Sequence, residues 1–433
     1  MRELKAYING RLVGNLADEN GIWSFTYDAG WIVAPDAFAL NAALVLRAEP
    51  HVDLGSIRPV QWYFDNLLPE EAARSLLAKD AKLDSNDAFS LLAYYGAESA
   101  GSLILTNEDP ALADTGEQRL PDVELQKRID DLPTISLAAD APKRMSLAGA
   151  QHKLAAIYRA PDLFEPIGAA PSTHILKPNH GGKDFRDSVI NEFFTMRLAR
   201  EIRLDVPEVF RKYVPAPVYL IERFDRHREQ QSIERIHAID ACQLLNLDRQ
   251  FKYTAASIKR LADLASACSA PARTRLQLFS WFVFNLLVGN NDAHLKNLSF
   301  LVDAQGIRLA PHYDMLSTTV YHAKALGKDI WPNSPLSWPF GTCELFAQVD
   351  RASVIEAGIE LGLGRETATR LLDLQLKSVP KAADMVLAEI AAENIRLLAE
   401  RTGLAAILGS EMRTLRTINS LVIVDMVSKL SAR

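Results

Sequence analysis

The sequence predicts an α+β chain: a small strand-rich lobe carrying an N-terminal subdomain, followed by a mainly α-helical lobe. Three observations carry this expectation. Residues 4–16 place apolar side chains on both sides of Asn9-Gly10, the dipeptide that best tolerates the positive φ angles of a tight hairpin turn. Strand-like pieces follow at 153–158, 173–176 and 218–221, with a helical stretch between the last two. Beyond Ala238 the pattern is helical, interrupted by a polar loop at 289–297 and a hairpin through Asp303-Ala304-Gln305-Gly306.

Taken in order, Trp23, Phe25 and Tyr27 alternate with small or polar residues, as in a strand with one buried face. From 59 to 95 the spacing of Leu67, Leu68, Ala72, Leu76 and Leu77 is helical. Residues 106–131, polar and containing Pro110 and Pro121, read as a connector. A helix is expected over 187–202, where Val189, Phe193, Met196, Leu198 and Ala199 form an apolar stripe. These elements divide into an N-terminal subdomain at 1–108, a small lobe at 109–235 and a helical lobe at 236–433.

Composition sets outer bounds. A chain of 433 residues is long enough for two or three domains, and 48% apolar with 24% charged residues is the usage of a globular protein. A net charge of -6 argues against a surface built throughout for nucleic acid. The three cysteines, Cys242, Cys268 and Cys343, lack the spacing of a zinc site or disulfide framework, which suits a reducing cytoplasm. The N-terminus has no apolar signal core, and the most apolar stretch, 276–288, falls short of the ~20 residues that cross a bilayer, so no membrane is expected.

The chemistry concentrates in Gly289-Asn290-Asn291-Asp292-Ala293-His294-Leu295-Lys296-Asn297, a polar loop directly after an apolar helix. Asp292 and Asn297 have the Asp-x-x-x-x-Asn spacing of a protein-kinase catalytic loop. In such a loop a carboxylate takes the proton of the substrate hydroxyl, while an amide oxygen one turn later ligates magnesium. A hairpin then leads to Tyr313-Asp314-Met315, the place of a second metal-binding aspartate. An isolated Asp-x-x-x-x-Asn more often caps turns; the ordered series of helix, loop, hairpin and Asp314 favours the kinase reading. His294 beside this loop supports backbone geometry more readily than it ligates metal.

Upstream, Lys177 follows the 173–176 strand, where a lysine can reach nucleotide phosphates. Glu192 lies on the apolar face of the 187–202 helix and needs a partner, with Lys177 the natural candidate, as in the kinase lysine–glutamate pair, and Arg197 or another cation the alternative. Residues 145–153 precede the first small-lobe strand, where small residues would let backbone amides approach phosphate, although an ordinary turn looks the same. Ile221-Glu222-Arg223-Phe224 ends the third strand, where a hinge would hold adenine, unless Phe224 belongs to the core.

Four segments, Ser146-Leu147-Ala148-Gly149-Ala150-Gln151-His152-Lys153, Ile221-Glu222-Arg223-Phe224-Asp225-Arg226, the 289–297 loop and Leu309-Ala310-Pro311-His312-Tyr313-Asp314, resemble those of the HipA family in order and spacing. The resemblance implies a two-lobed protein-kinase-like fold and an ATP- and magnesium-dependent serine/threonine kinase, the toxin of a toxin–antitoxin pair. By it, Asp292 is the catalytic base, and Asn297 and Asp314 are the magnesium ligands. Nucleotide contacts fall to Ala148, Gly149, Ala150, Gln151, Lys153, Lys177, His294 and Lys296, with Glu222 and Phe224 at the hinge. The implied partner is a HipB-like helix-turn-helix antitoxin dimer, reaching operator DNA mainly through the antitoxin. The implied substrate is a translation component of the aminoacyl-tRNA synthetase class, with growth arrest and persistence following.

Ser146 matches the autophosphorylated serine of the family; the alternative is a turn cap. His152 stands where the family pattern has glutamate, which touches loop closure rather than the nucleotide site. Two rivals stay open: a small-molecule or lipid phosphotransferase of the same fold, and a catalytically silent corepressor.

Overall fold

Local chemistry sets the first elements. In the computed structural model, which describes residues 1–107, 115–145, 147–228 and 232–432, Asn9 and Gly10 take φ of 47° and 78° and close the hairpin between β1 (Arg2–Ile8) and β2 (Arg11–Glu19). β3 (Ile22–Tyr27) buries Trp23, Phe25 and Tyr27 on one face, as the alternation requires. With β4 (His51–Val52) and β5 (Leu103–Thr106) these strands make an antiparallel sheet of order β4-β3-β2-β1-β5. The helices Pro59–Asp65, Glu71–Ala81 and Ala88–Tyr95 fill the expected 59–95 stretch.

The chain forms two compact units. The first comprises Met1–Pro178, Leu220–Lys252 and Leu298–Ala310; the second comprises Asn179–Tyr219, Tyr253–Asn297 and Pro311–Arg433. In the first, a second sheet includes the run β6-β8-β7-β9, made by β6 (Thr115–Arg119), β7 (Leu154–Arg159), β8 (Asp162–Gly168) and β9 (His174–Pro178). The polar stretch expected to be a connector holds β6 and the helix Asp122–Asp130 instead. β6 is an edge strand with its side chains turned to solvent, so it shows no apolar alternation. The helix buries only Leu125 and Arg128, the latter held by Glu165 at 2.7 Å. β9 extends further than the sequence suggested and takes in Lys177, because Pro178 biases the residue before it toward extended backbone.

A buried ion cluster ties this unit together. The Glu98 carboxylate is 0% exposed. It meets Lys143 Nζ at 2.8 Å, Arg226 Nη2 at 2.8 Å, Arg235 Nη2 at 2.9 Å and Arg223 Nη1 at 3.1 Å, and accepts from Ser172 Oγ at 2.7 Å. Burial alone would raise its pKa; Arg235, Arg226, Lys143 and Arg223 outweigh that and hold it well below the usual carboxylate range. Asp225 pairs with Arg223 at 2.6 Å and accepts from the Gly101 amide.

The second unit is mainly helical. Pro271–Leu287 carries the fully buried Phe279, Trp281 and Phe284, and Arg365–Glu400 packs against it and against Ser188–Glu201. Ser188–Glu201 is buried on nearly every face rather than along one stripe, because Ala405–Thr417 packs on it as well. Asp187, in a left-handed conformation at φ 57°, starts that helix and accepts hydrogen bonds from Ser410 Oγ and Thr414 Oγ1. Beside them Glu411 is 1% exposed and accepts from the Tyr213 hydroxyl at 2.7 Å. Burial pushes its carboxyl up to about 7; Tyr213 and Arg211 oppose the shift and Asp187 adds to it.

Two outcomes are expected. Glu98→Ala removes the carboxylate shared by four buried cations and should cost about 3–5 kcal/mol, read as a lower thermal midpoint; a variant melting at the wild-type temperature would contradict this account of the cluster. For Glu411, the folded chain keeps a proton between about pH 4.5 and 7 that the unfolded chain has released, so its contribution is present at the acid end and declines as pH rises through that window. The decline is on the order of 3 kcal/mol. Glu411→Gln should match wild type near pH 5 and melt higher near pH 8; parallel stability profiles would refute the assignment.

Candidate functional site

The 289–297 loop begins where the buried helix Pro271–Leu287 ends. Gly289 turns the chain at φ 65°, and a Cβ there would lie 2.1 Å from Thr319 Oγ1, so the position demands glycine on both counts. Its carbonyl accepts from the Thr319 amide at 3.0 Å and from Thr319 Oγ1 at 2.8 Å. Asn290, almost wholly buried, donates through Nδ2 to Asn285 Oδ1 at 2.8 Å and accepts the Asp292 amide at 3.0 Å. Thr318 Oγ1 accepts from the Asn291 amide, and the Trp338 indole donates to the Ala293 carbonyl.

On this scaffold the Asp292 side chain is exposed, whereas His294, Lys296 and Asn297 are buried. Asn297 Nδ2 donates to the Asp292 carbonyl at 2.9 Å, which sets the amide with Oδ1 as its acceptor end. The His294 amide donates to the Asp292 carbonyl at 2.8 Å, and its own carbonyl accepts from the Asn297 amide, so His294 builds the turn with its backbone. The Lys296 carbonyl accepts from the Tyr313 hydroxyl at 2.8 Å, tying the loop to the segment that carries Asp314. Tyr253, absent from the sequence reading, donates its hydroxyl to Asp292 Oδ1.

Asp314 takes φ 57°, a left-handed conformation that aspartate tolerates better than most residues. It is half-buried, whereas the Asp292 side chain is exposed. The Tyr219 phenol lies near Asp314 and Glu192; its pKa is held well above the usual range by burial first and then by these two carboxylates. Asn191, next to Glu192, bonds both backbone groups of Ser317: Oδ1 accepts the amide at 2.9 Å and Nδ2 donates to the carbonyl at 3.0 Å. The Glu192 helix and the Asp314 segment are thereby locked together within the second unit.

The remaining candidates lie in the first unit. Lys177 is buried in β9, and the adjacent Pro178 carbonyl accepts from Gln151 Nε2 at 3.1 Å. Gly149 bridges to Pro69, and its carbonyl accepts from the Glu70 amide at 3.2 Å. Lys153 turns back on its own loop, donating to the Ala148 carbonyl at 2.6 Å. Ala148 and Ala150 are half-buried. Ser146 lies outside the described residues; its neighbours Met145 and Leu147 are buried. Alternation leaves Glu222 and Phe224 half-exposed while Arg223 and Asp225 turn into the Glu98 cluster. Lys177 and Glu192 belong to different units.

The oxygen donors at Asn297 and Asp314 suit a hard divalent cation such as magnesium, which takes one or two protein carboxylates together with phosphate oxygens. Among the described residues no group of three or more His, Cys, Asp or Glu side chains gathers to hold a metal by itself. No helix among them is long and apolar enough to cross a membrane.

Residues 4–106 match the HipA N-terminal domain and residues 145–383 the HipA-like C-terminal domain. The serine/threonine-protein kinase toxin HipA of Shewanella oneidensis is 31% identical over 361 residues, covering 76% of this chain and 80% of that protein. Y4mE of Sinorhizobium fredii, named as a kinase, is 35% identical over 404 residues, covering 89% and 92%. A chain from the Shewanella oneidensis complex of HipA, HipB and operator DNA superposes with a TM-score of 0.76 at 25% identity, covering 99% of this chain and 100% of that one. The α+β, kinase-like class expected from the sequence is therefore the class found. With its N- and C-terminal domain matches together spanning most of its length, the chain belongs to the HipA family of kinase toxins.

Proposed function

We propose that the protein is an ATP- and magnesium-dependent serine/threonine kinase with Asp292 as its catalytic base. The observation that carries this reading is the loop itself: an exposed carboxylate at Asp292, with Asn297 bonded to its backbone, on a turn held rigid from the buried helix behind it. Asp292 accepts the proton of a serine or threonine hydroxyl as that oxygen bonds to the γ-phosphorus and ADP leaves. Asn297 and Asp314 would hold magnesium, which when bound offsets the charge of the phosphates. Lys177, the 147–153 loop and the Glu222–Phe224 segment are assigned to the nucleotide, with His294 and Lys296 shaping the loop beside it. Glu192 is assigned to orienting Lys177.

The resemblance extends the proposal to biology. The domain plan is an N-terminal subdomain at 1–108, a small lobe at 109–235 and a helical lobe at 236–433. A HipB-like helix-turn-helix antitoxin restrains the kinase and carries it to operator DNA as a corepressor. The free cytoplasmic kinase phosphorylates an aminoacyl-tRNA synthetase, arresting growth and producing persistence. Support for the partner is the likeness to the chain from the HipA, HipB and operator DNA complex. Ser146 is the proposed self-phosphorylation site: a phosphate of about two negative charges between the buried Met145 and Leu147 would repel ATP phosphates and expel the loop.

Incubation of the full chain with magnesium and ATP, followed by intact mass and peptide mapping, tests this directly. One phosphate on Ser146 in wild type, absent from Asp292→Asn and Ser146→Ala, is expected, with label falling by at least 10²-fold on loss of the base. Full labelling of Asp292→Asn would overturn the base assignment. ATP binding without any protein phosphate would favour a foreign acceptor or a silent corepressor.

A further inference from the structure

At the catalytic loop, the Tyr253 side chain already does what an acceptor is required to do. Its hydroxyl donates to Asp292 Oδ1, the interaction a serine or threonine hydroxyl must form before transfer. The phenol is no chance visitor. Its ring stands edge-on to His294, with centroids 5.0 Å apart and planes at 83°. His294 is buried, and its backbone amide and carbonyl build the same turn that presents Asp292. Donor and acceptor are therefore fixed to one scaffold within the second unit, although Tyr253 is 42% exposed and reachable by an incoming chain.

We infer that Tyr253 is a resident cap on the catalytic base, a stand-in hydroxyl that excludes water from Asp292 until a protein acceptor displaces it. The inference rests on the kinase reading of Asp292. Water competes poorly for that oxygen, because a phenol is the stronger hydrogen-bond donor and is held in place. A serine or threonine docked by its protein arrives at high effective concentration and displaces the phenol by rotation of one exposed side chain. The residue thus discriminates between acceptors: it biases the γ-phosphoryl group toward protein and away from hydrolysis.

The test compares wild type, Tyr253→Phe and Tyr253→Phe/Asp292→Asn as full chains. Phosphate release from magnesium-ATP is measured without any acceptor protein, with self-phosphorylation followed by intact mass. Phenylalanine keeps the ring on His294 and removes only the hydroxyl, and an unchanged melting temperature confirms that the fold is intact. Acceptor-free hydrolysis should rise about tenfold, the scale set by losing a hydrogen bond to a charged group, and the rise should vanish in the double variant. Hydrolysis that is unchanged or lower in Tyr253→Phe, while wild type still phosphorylates itself, overturns the cap alone. Phosphate mapped to Tyr253 in wild type also overturns it, since the phenol would then be an acceptor. Absence of both self-phosphorylation and ATP turnover in every form overturns the kinase reading and the cap with it.

Discussion

The first unit depends on one buried carboxylate. Glu98 draws together chain segments that are remote in sequence: Lys143 just before the 145–153 loop, Arg223 and Arg226 at the proposed hinge, and Arg235 in the strand Ile233–Arg235. Together with Asp225 the cluster sets two carboxylates against four cations, so it is not a neutral pair hidden for stability. Among the described residues Arg235 Nη1 has no hydrogen-bond partner, and burial brings the Lys143 ammonium down to about 8 even with Glu98 pulling the other way. An apolar cluster of similar volume would hold the segments at lower electrostatic cost. What the ions add is register: each guanidinium has a fixed fork, so Arg223 and Arg226 can meet Glu98 and Asp225 in few arrangements. The arrangement observed turns Glu222 and Phe224 the other way, which is the face a hinge needs.

The second unit solves the same problem with hydrogen bonds. Asp314 sits in a left-handed conformation that costs an L-residue about 1–3 kcal/mol, and such a residue persists only where its surroundings leave no alternative. Those surroundings are the Asn191 clamp on Ser317, the Tyr313 bond to Lys296 and the Gly289 contact with Thr319. Three chain segments, 188–201, 289–297 and 313–319, are thereby made one body. Displacing any of them moves the carboxylates that the proposed chemistry requires.

What the sequence made legible was local. The Asn9-Gly10 turn, the alternation in β3, the buried helix before the loop and the Asp303–Gly306 hairpin each follow from neighbours within a few residues. The five-residue spacing put Asp292 and Asn297 on one loop, and the structure joins them by a hydrogen bond. Edge elements escaped, because β6 and Asp122–Asp130 bury too little to leave a periodic trace. Long-range polar chemistry escaped for a different reason. Nothing near Glu98 in the chain announces four distant cations, and Tyr253 lies 39 residues from Asp292 with no spacing rule between them. Lys153 shows the opposite case: a lysine at a promising position spends a hydrogen bond on its own loop, which only the folded geometry reveals.

These constraints separate what the fold determines from what it leaves variable. Asn290 and Asn297 are buried and bond the backbone of Asp292, so substitution there disturbs the loop before it touches recognition. The side chains of Asp292 and Tyr253 are the exposed groups of this constellation. A rigid loop that offers one carboxylate and one displaceable phenol carries little information about which protein is phosphorylated. On the kinase reading, acceptor choice must therefore come from surfaces away from the loop, which raise the local concentration of one hydroxyl enough to take the place of Tyr253. Relatives can then share the loop and differ in substrate, because selectivity and chemistry sit on different residues.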